Sequence, residues 1–227
     1  MDTGERAYEK IINYVEQQVM QGRYKKGDKL PPERELAALL GASRNSVREG
    51  LGILERMGAI SSQQGAGNFV SDNFEKTLIE VMTLMFILEE GTFREISEFR
   101  YALEMQALSL AMKNITEEQQ TDIEYYMSML EKTPEEDMKA YYDKKIHYTI
   151  TAASGNRFII DNLQALTAVM DVFIKDMRAK ILSDGSNSEG LMAAHREMVE
   201  ALREQNMEKG MQALKVHFEY IYEYIDG

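Results

Sequence analysis

The chain holds three histidines, His147, His195 and His217, and each falls on the apolar stripe of a helical stretch. A helix turns once every 3.6 residues. Asp143 and His147, four apart, therefore share a face, and it is the face of Ile146 and Ile150. His195 keeps company with Leu191, Met198, Val199 and Leu202, and His217 with Leu214, Ile221 and Tyr224. One histidine on such a stripe is ordinarily a core imidazole satisfied by a hydrogen bond. Three of them on three helices, with a carboxylate one turn from the first, put a second reading beside that one. A buried carboxylate without a partner is costly, and a divalent cation shared with three imidazoles would remove the cost. Nitrogen and oxygen donors of this kind suit Zn²⁺, and also Ni²⁺, Mn²⁺ or Fe²⁺. Spacing alone leaves both readings open. It also leaves open what a metal would do: activate water as in a metal-dependent hydrolase, or only brace the helices.

A second group of residues has a different chemistry. In Ser43, Arg44, Asn45, Ser46, Val47 and Arg48, the two arginines stand one turn apart and are exposed if Val47 and Leu51 face a core. The planar guanidinium fork matches guanine O6 and N7, or a phosphate. Ser43 and Ser46 are short donors that let backbone approach backbone. Arg34, on the preceding helical stretch, reaches toward the same place. Gly65 and Gly67 give a tight tip to a turn that could enter a minor groove. Two arginines on a helix are more often plain solvated surface, so this reading depends on the elements around them.

Those elements are legible from periodicity and punctuation. Apolar residues at 8, 11, 12, 15 and 19 predict a helix over 6–21. A Gly-punctuated loop follows, then Pro31 and Pro32 introduce a short helix, ERELAALL, with proline favoured in a first turn. Gly41 ends it, Ser43 is the expected N-cap of the next helix, RNSVREGLGILERM, and Gly58 stops that one. AISS and NFV read as two short strands around QQGAG. Three helices and a hairpin are the outline of a winged helix-turn-helix, whose second reading helix enters the major groove by its N-terminal end. From residue 75 onward the stripes are helical, over 75–89, 93–113, 117–131, 134–153, 157–182, 188–205 and 207–225. Thr116 to Gln119 and Thr133 to Glu136 read as capping boxes, and ILSDGSNSEG as a loop. The fold class is mainly α: a winged helix-turn-helix over 1–72, then an antiparallel bundle of about seven helices over 73–227.

Composition agrees with that division. A chain of 227 residues, 44% of them hydrophobic, suits two modest domains. Without cysteine it has no disulfide and no thiolate metal site. The charged start MDTGERAYEK is no signal peptide, and no apolar run reaches about 18 residues, so a cytoplasmic protein is expected. The net charge of −12 argues at first against nucleic acid. Its distribution answers this. Residues 1–72 carry ten basic and ten acidic side chains, and residues 73–227 carry sixteen and twenty-eight. All the excess acid lies in the helical part, as for two domains with different partners.

Residues 8–71 resemble the DNA-binding domain of the GntR superfamily of bacterial transcription regulators. The resemblance rests on Gly27, Leu30, Pro31, Glu33 to Ala37, Ser43, Arg44, Val47 to Glu49, Leu51, Leu54, Gly58, Gly67, Phe69 and Val70. It implies that Arg34, Arg44, Arg48 and the wing glycine contact an operator. Gly50 departs from it, standing where alanine is usual, at a helix-interior cost of up to about 1 kcal/mol. Residues 75–227 resemble the FCD effector domain of the FadR-type branch, through Phe99, Arg100, Leu103, Glu104, Asp143, His147, Gly155, Asn156, His195, Ala201, Leu202, Ala213 and His217. In metal-binding members an Asp and three His at these positions hold the ion, which implies Asp143, His147, His195 and His217 as ligands here. Ile146 replaces the usual Phe. The resemblance also implies a small organic acid as effector, with Arg100 as its contact, unless Arg100 is used up in an ion pair with Glu104 one turn on. A ligand-responsive repressor acting as a homodimer on double-stranded operator DNA is the function implied.

Overall fold

The computed structural model describes residues 6–173 and 188–226. The chain divides into two compact units, Met1–Thr77 and Leu78–Gly227.

In the first unit, α1 (Ala7–Met20), α2 (Glu33–Leu40) and α3 (Arg44–Arg56) precede β1 (Ile60–Gln63) and β2 (Gly67–Val70). The strands pair antiparallel with Ile60 opposite Val70 and Ser61 opposite Phe69. Lys29 forms a further bridge to Phe69, so the stretch before α2 adds an edge to the wing. Ile11, Val15, Leu30, Leu36, Val47, Leu51, Leu54, Ile60 and Val70 make one core. Each such aliphatic side chain contributes about 1.5–3 kcal/mol by leaving water. Ser43 caps α3, its Oγ accepting from the Ser46 amide at 3.1 Å. Pro32 is itself the N-cap of α2 and stands just outside the first turn in which proline was expected.

Gly50 has a structural reason. A Cβ at this position would lie 2.8 Å from Ile11 Cβ and 2.9 Å from the Tyr8 carbonyl oxygen. The bare glycine lets α3 close on α1 where a methyl group would meet Ile11 and the Tyr8 carbonyl.

α4 (Glu75–Leu88) contains the division between the units. The second unit continues with α5 (Phe93–Asn114), α6 (Glu117–Lys132), α7 (Glu136–Ala153), α8 (Arg157–Phe173), α9 (Ser188–Glu204) and α10 (Met207–Asp226). α5 packs on α7, α8 and α10, and α6 on α7 and α9. Leu108, Ile123, Leu130, Ile146, Met198, Leu202, Leu214 and Phe218 are fully enclosed among them. α9 and α10 are joined by only Gln205 and Asn206, with Gln205 left-handed at φ 52°, and form a helical hairpin.

The expected helices match these bounds to within two residues wherever their ends are described. Residues 174–182 of the expected helix 157–182, and 181–187 of the expected loop, lie outside the described residues. Ser188, Glu189 and Gly190, which fell in both the expected loop and the expected helix 188–205, belong to α9.

The Thr116 box forms as expected. The Gln119 amide donates to Thr116 Oγ1 at 3.2 Å, and the Thr116 amide to Gln119 Oε1 at 3.0 Å. The Thr133 box does not form. Thr133 is the C-cap of α6, its hydroxyl donates to Glu135 Oε2 at 2.9 Å, and α7 starts only at Glu136. The residue before a proline is held extended, and Thr133, at ψ 132°, precedes Pro134. A box absent from the sequence reading forms between Thr92 and Glu95 at the head of α5.

Candidate functional site

α7 presents Asp143 and His147 from one turn, α9 presents His195 and α10 presents His217. All four are buried, and one donor atom from each lies within 4.8 Å of the others. Asp143 Oδ1 is 2.8 Å from His195 Nε2 and 3.8 Å from His147 Nε2. The two Nε2 atoms are 3.3 Å apart.

What stands behind the rings decides how these atoms meet. His195 Nδ1 is 2.9 Å from the Leu191 carbonyl oxygen. His147 Nδ1 is 2.8 Å from Glu104 Oε2. A carbonyl and a carboxylate only accept, so both Nδ1 atoms carry the proton. In neutral rings both Nε2 atoms then turn bare lone pairs toward each other and toward Asp143. Three acceptors facing one another repel unless a cation or a proton stands between them. His217 adds a buried Nδ1 with no hydrogen-bond partner. Burial, reinforced by His195 and His147, holds its imidazole well below the ordinary value of 6.5. These residues fit a divalent cation.

Glu104, a residue of the FCD resemblance and the expected partner of Arg100, does more. Arg100 Nε and Nη2 donate to Glu104 Oε1 at 3.0 and 2.7 Å, while its other oxygen receives His147. Burial alone would raise the Glu104 carboxyl, but the charge of Arg100, with help from His147, outweighs it and holds the group far below the usual range. The ion pair weighed as the alternative role for Arg100 is therefore formed. Among the described residues, Arg100 Nη1 meets only Met170 Sδ, at 3.5 Å, a weak acceptor. A narrow cavity between Glu104, His147, Thr151 and Met198 has room for about one water molecule.

In the first unit, Val47 and Leu51 are buried, and Arg34, Arg44, Asn45 and Arg48 are exposed. Ser43 and Ser46 bond to each other, Oγ to Oγ at 2.9 Å, as well as capping α3. Arg48 Nε donates to Glu33 Oε2 at 2.8 Å, a pairing not read from the sequence. At the wing, Gly65 and Gly67 have φ of 75° and 111°. Conformations with φ this far positive favour glycine. A Cβ on Gly67 would meet Lys29 Cε at 3.3 Å, so the lysine lies along the wing.

Residues 7–70 match the bacterial regulatory proteins of the gntR family, and residues 95–220 match the FCD domain. The chain belongs to the GntR family and carries an FCD domain. As a GntR regulator it is a DNA-binding transcription regulator and not an enzyme, which removes the hydrolase reading. Its FCD domain implies a small-molecule effector, and metal binding is known in such domains. The HTH-type transcriptional regulator LutR of Bacillus subtilis is 24% identical over 213 residues, covering 92% of this chain and 96% of that one. The HTH-type transcriptional repressor YtrA of the same organism is 36% identical over 110 residues, 48% of this chain and 83% of that one. A solved GntR of Streptococcus agalactiae shares the fold, with TM-score 0.64 at 20% identity over 95% of this chain and 99% of that one. No described helix is long and apolar enough to cross a membrane.

Proposed function

We propose that this GntR regulator is a cytoplasmic repressor whose operator affinity is set by a divalent cation and a small organic acid. In this reading residues 1–72 read DNA through Arg34, Ser43, Arg44, Asn45, Ser46, Arg48, Gly65 and Gly67. Residues 73–227 hold the ion on Asp143, His147, His195 and His217. The observation that carries the reading is the convergence of Asp143 Oδ1, His147 Nε2 and His195 Nε2 with both rings oriented from behind. Supporting groups of this kind are what fix a metal-binding histidine. The donor set favours Zn²⁺, with Ni²⁺, Mn²⁺ and Fe²⁺ also accommodated.

A bound cation would supply positive charge to polarise a carboxylate. Arg100 adds a second anchor through Nη1, whose partner among the described residues is only a thioether. Two-fold operators are met by two-fold proteins, so the working unit is a homodimer. By linkage, the effector's preference for one state of the protein equals its effect on operator affinity. Repression has its support in the mode implied for the family and in the name of the relative YtrA.

Metal analysis and native mass spectrometry of the purified protein test the cation and the dimer together. Fluorescence anisotropy on the chain's own upstream DNA, with zinc-loaded protein and a panel of small carboxylates, tests the response. The expected result is one ion per chain, a dimer, and operator release by at least one carboxylate. Binding unaffected by every carboxylate, with the ion retained, favours the one competing role that the enclosed site allows, a cation that only braces the bundle.

A further inference from the structure

We propose that Glu33 is a positioning residue for base reading: it holds Arg48 by Nε and presents the remaining Nη1 and Nη2 edge as a paired donor to guanine. This rests on the reading above that Arg48 contacts the operator.

The pairing joins the first residue of α2 to the fifth of α3, at 2.8 Å, with the two side chains 36% and 65% exposed. An exposed ion pair contributes little to folding, so stability does not explain it. Its geometry has a sharper effect. A free arginine on a helix samples many rotamers and also accepts phosphates in any orientation. Once Nε is held, the guanidinium plane is set and one pair of parallel donors is left, spaced for O6 and N7 of a single guanine. The carboxylate also repels phosphate, so it weakens binding to every sequence while sharpening the choice among them. Neighbouring charges fit this division of labour. Arg34 and Arg44 are exposed and make no ion pair within the described residues, so no carboxylate fixes their planes as Glu33 fixes that of Arg48.

The test is operator binding by full-length protein carrying Glu33→Ala, Glu33→Gln or Arg48→Ala. Every half-site position is substituted with all four bases, and non-specific DNA is titrated in parallel. Wild type is expected to prefer guanine at one position per half-site, and Arg48→Ala to lose that preference. Glu33→Ala should lose about tenfold of it at that position alone, and its non-specific affinity should rise. Glu33→Gln keeps an amide oxygen to accept from Nε, so it should retain most of the preference while still gaining non-specific affinity. Full preference in Glu33→Ala overturns the proposal while Arg48 keeps its role. Equal loss by Glu33→Ala and Glu33→Gln at every position, with a lower melting temperature, assigns Glu33 to folding and also overturns it. Arg48→Ala that binds like wild type refutes the underlying reading instead.

Discussion

Glu104 Oε2 receives His147 Nδ1 at 2.8 Å while its other oxygen is gripped by Arg100. The direction in which His147 offers its Nε2 is thus decided on α5, outside the four candidate ligands. Replacing Glu104 by Gln or Ala should lower metal affinity about 10- to 100-fold, the usual cost of losing such a support. A chelator competition titration measures it. Unchanged affinity would mean that packing alone orients the ring.

His195→Ala should abolish the thermal stabilisation that added zinc gives to wild type. A cation present at 100 times its dissociation constant stabilises by about 2.7 kcal/mol. For a chain of this size each kcal/mol moves Tm by about 2–4 °C. Equal zinc shifts in variant and wild type, read by calorimetry, would exclude His195 from the ligand set.

Acid should weaken the metal-free protein, and the sign follows from two groups. His217 titrates below its ordinary value when folded, so under about pH 6.5 the unfolded chain takes up a proton that the folded chain refuses. Stability from this group is present above that pH and is lost below it, by at most about 1.4 kcal/mol per pH unit. Glu104 is depressed, so its contribution holds above the ordinary carboxylate range and goes as pH falls through the folded value. Both act in the same direction. Urea midpoints of chelator-treated protein between pH 8 and 5 should fall with pH, and a flat series would contradict the burial of His217. Metal affinity should fall over the same range, since protons compete for the donors.

Arg44→Ala should weaken operator binding by about 1–3 kcal/mol without moving Tm, because the side chain is exposed. A melting defect of similar size would make it structural.

Gly50→Ala should destabilise the first unit. Alanine adds up to about 1 kcal/mol of helix propensity, against about 1–3 kcal/mol for forcing a methyl into a closed contact. Denaturant unfolding of the isolated point variant against wild type gives the sign, and stabilisation would mean that α1 gives way without cost.

Single-helix features were readable from the sequence because they depend on spacing of 3 or 4. The stripe that puts Asp143 beside Ile146, the cap at Ser43 and the box at Thr116 are of this kind. Pairings between elements were not readable. Glu33 and Arg48 are fifteen residues apart, Glu104 and His147 forty-three, and no periodicity links either pair. Gly50 read as a small defect for the same reason, since the atoms that require it belong to α1. The failed box at Thr133 shows the limit within a helix: the motif was present, but the residue had already been used to end α6.

The two-residue connection between α9 and α10 turns the hairpin into a ruler. His195 lies ten residues before Gln205, and His217 eleven after Asn206, so the two rings stand level across the hairpin. Sliding one helix by a single turn, about 5.4 Å, exceeds the 4.8 Å that spans all four donor atoms. A slip of that size would part the donors. An ion held by all four groups would therefore fix the register of α9 against α10.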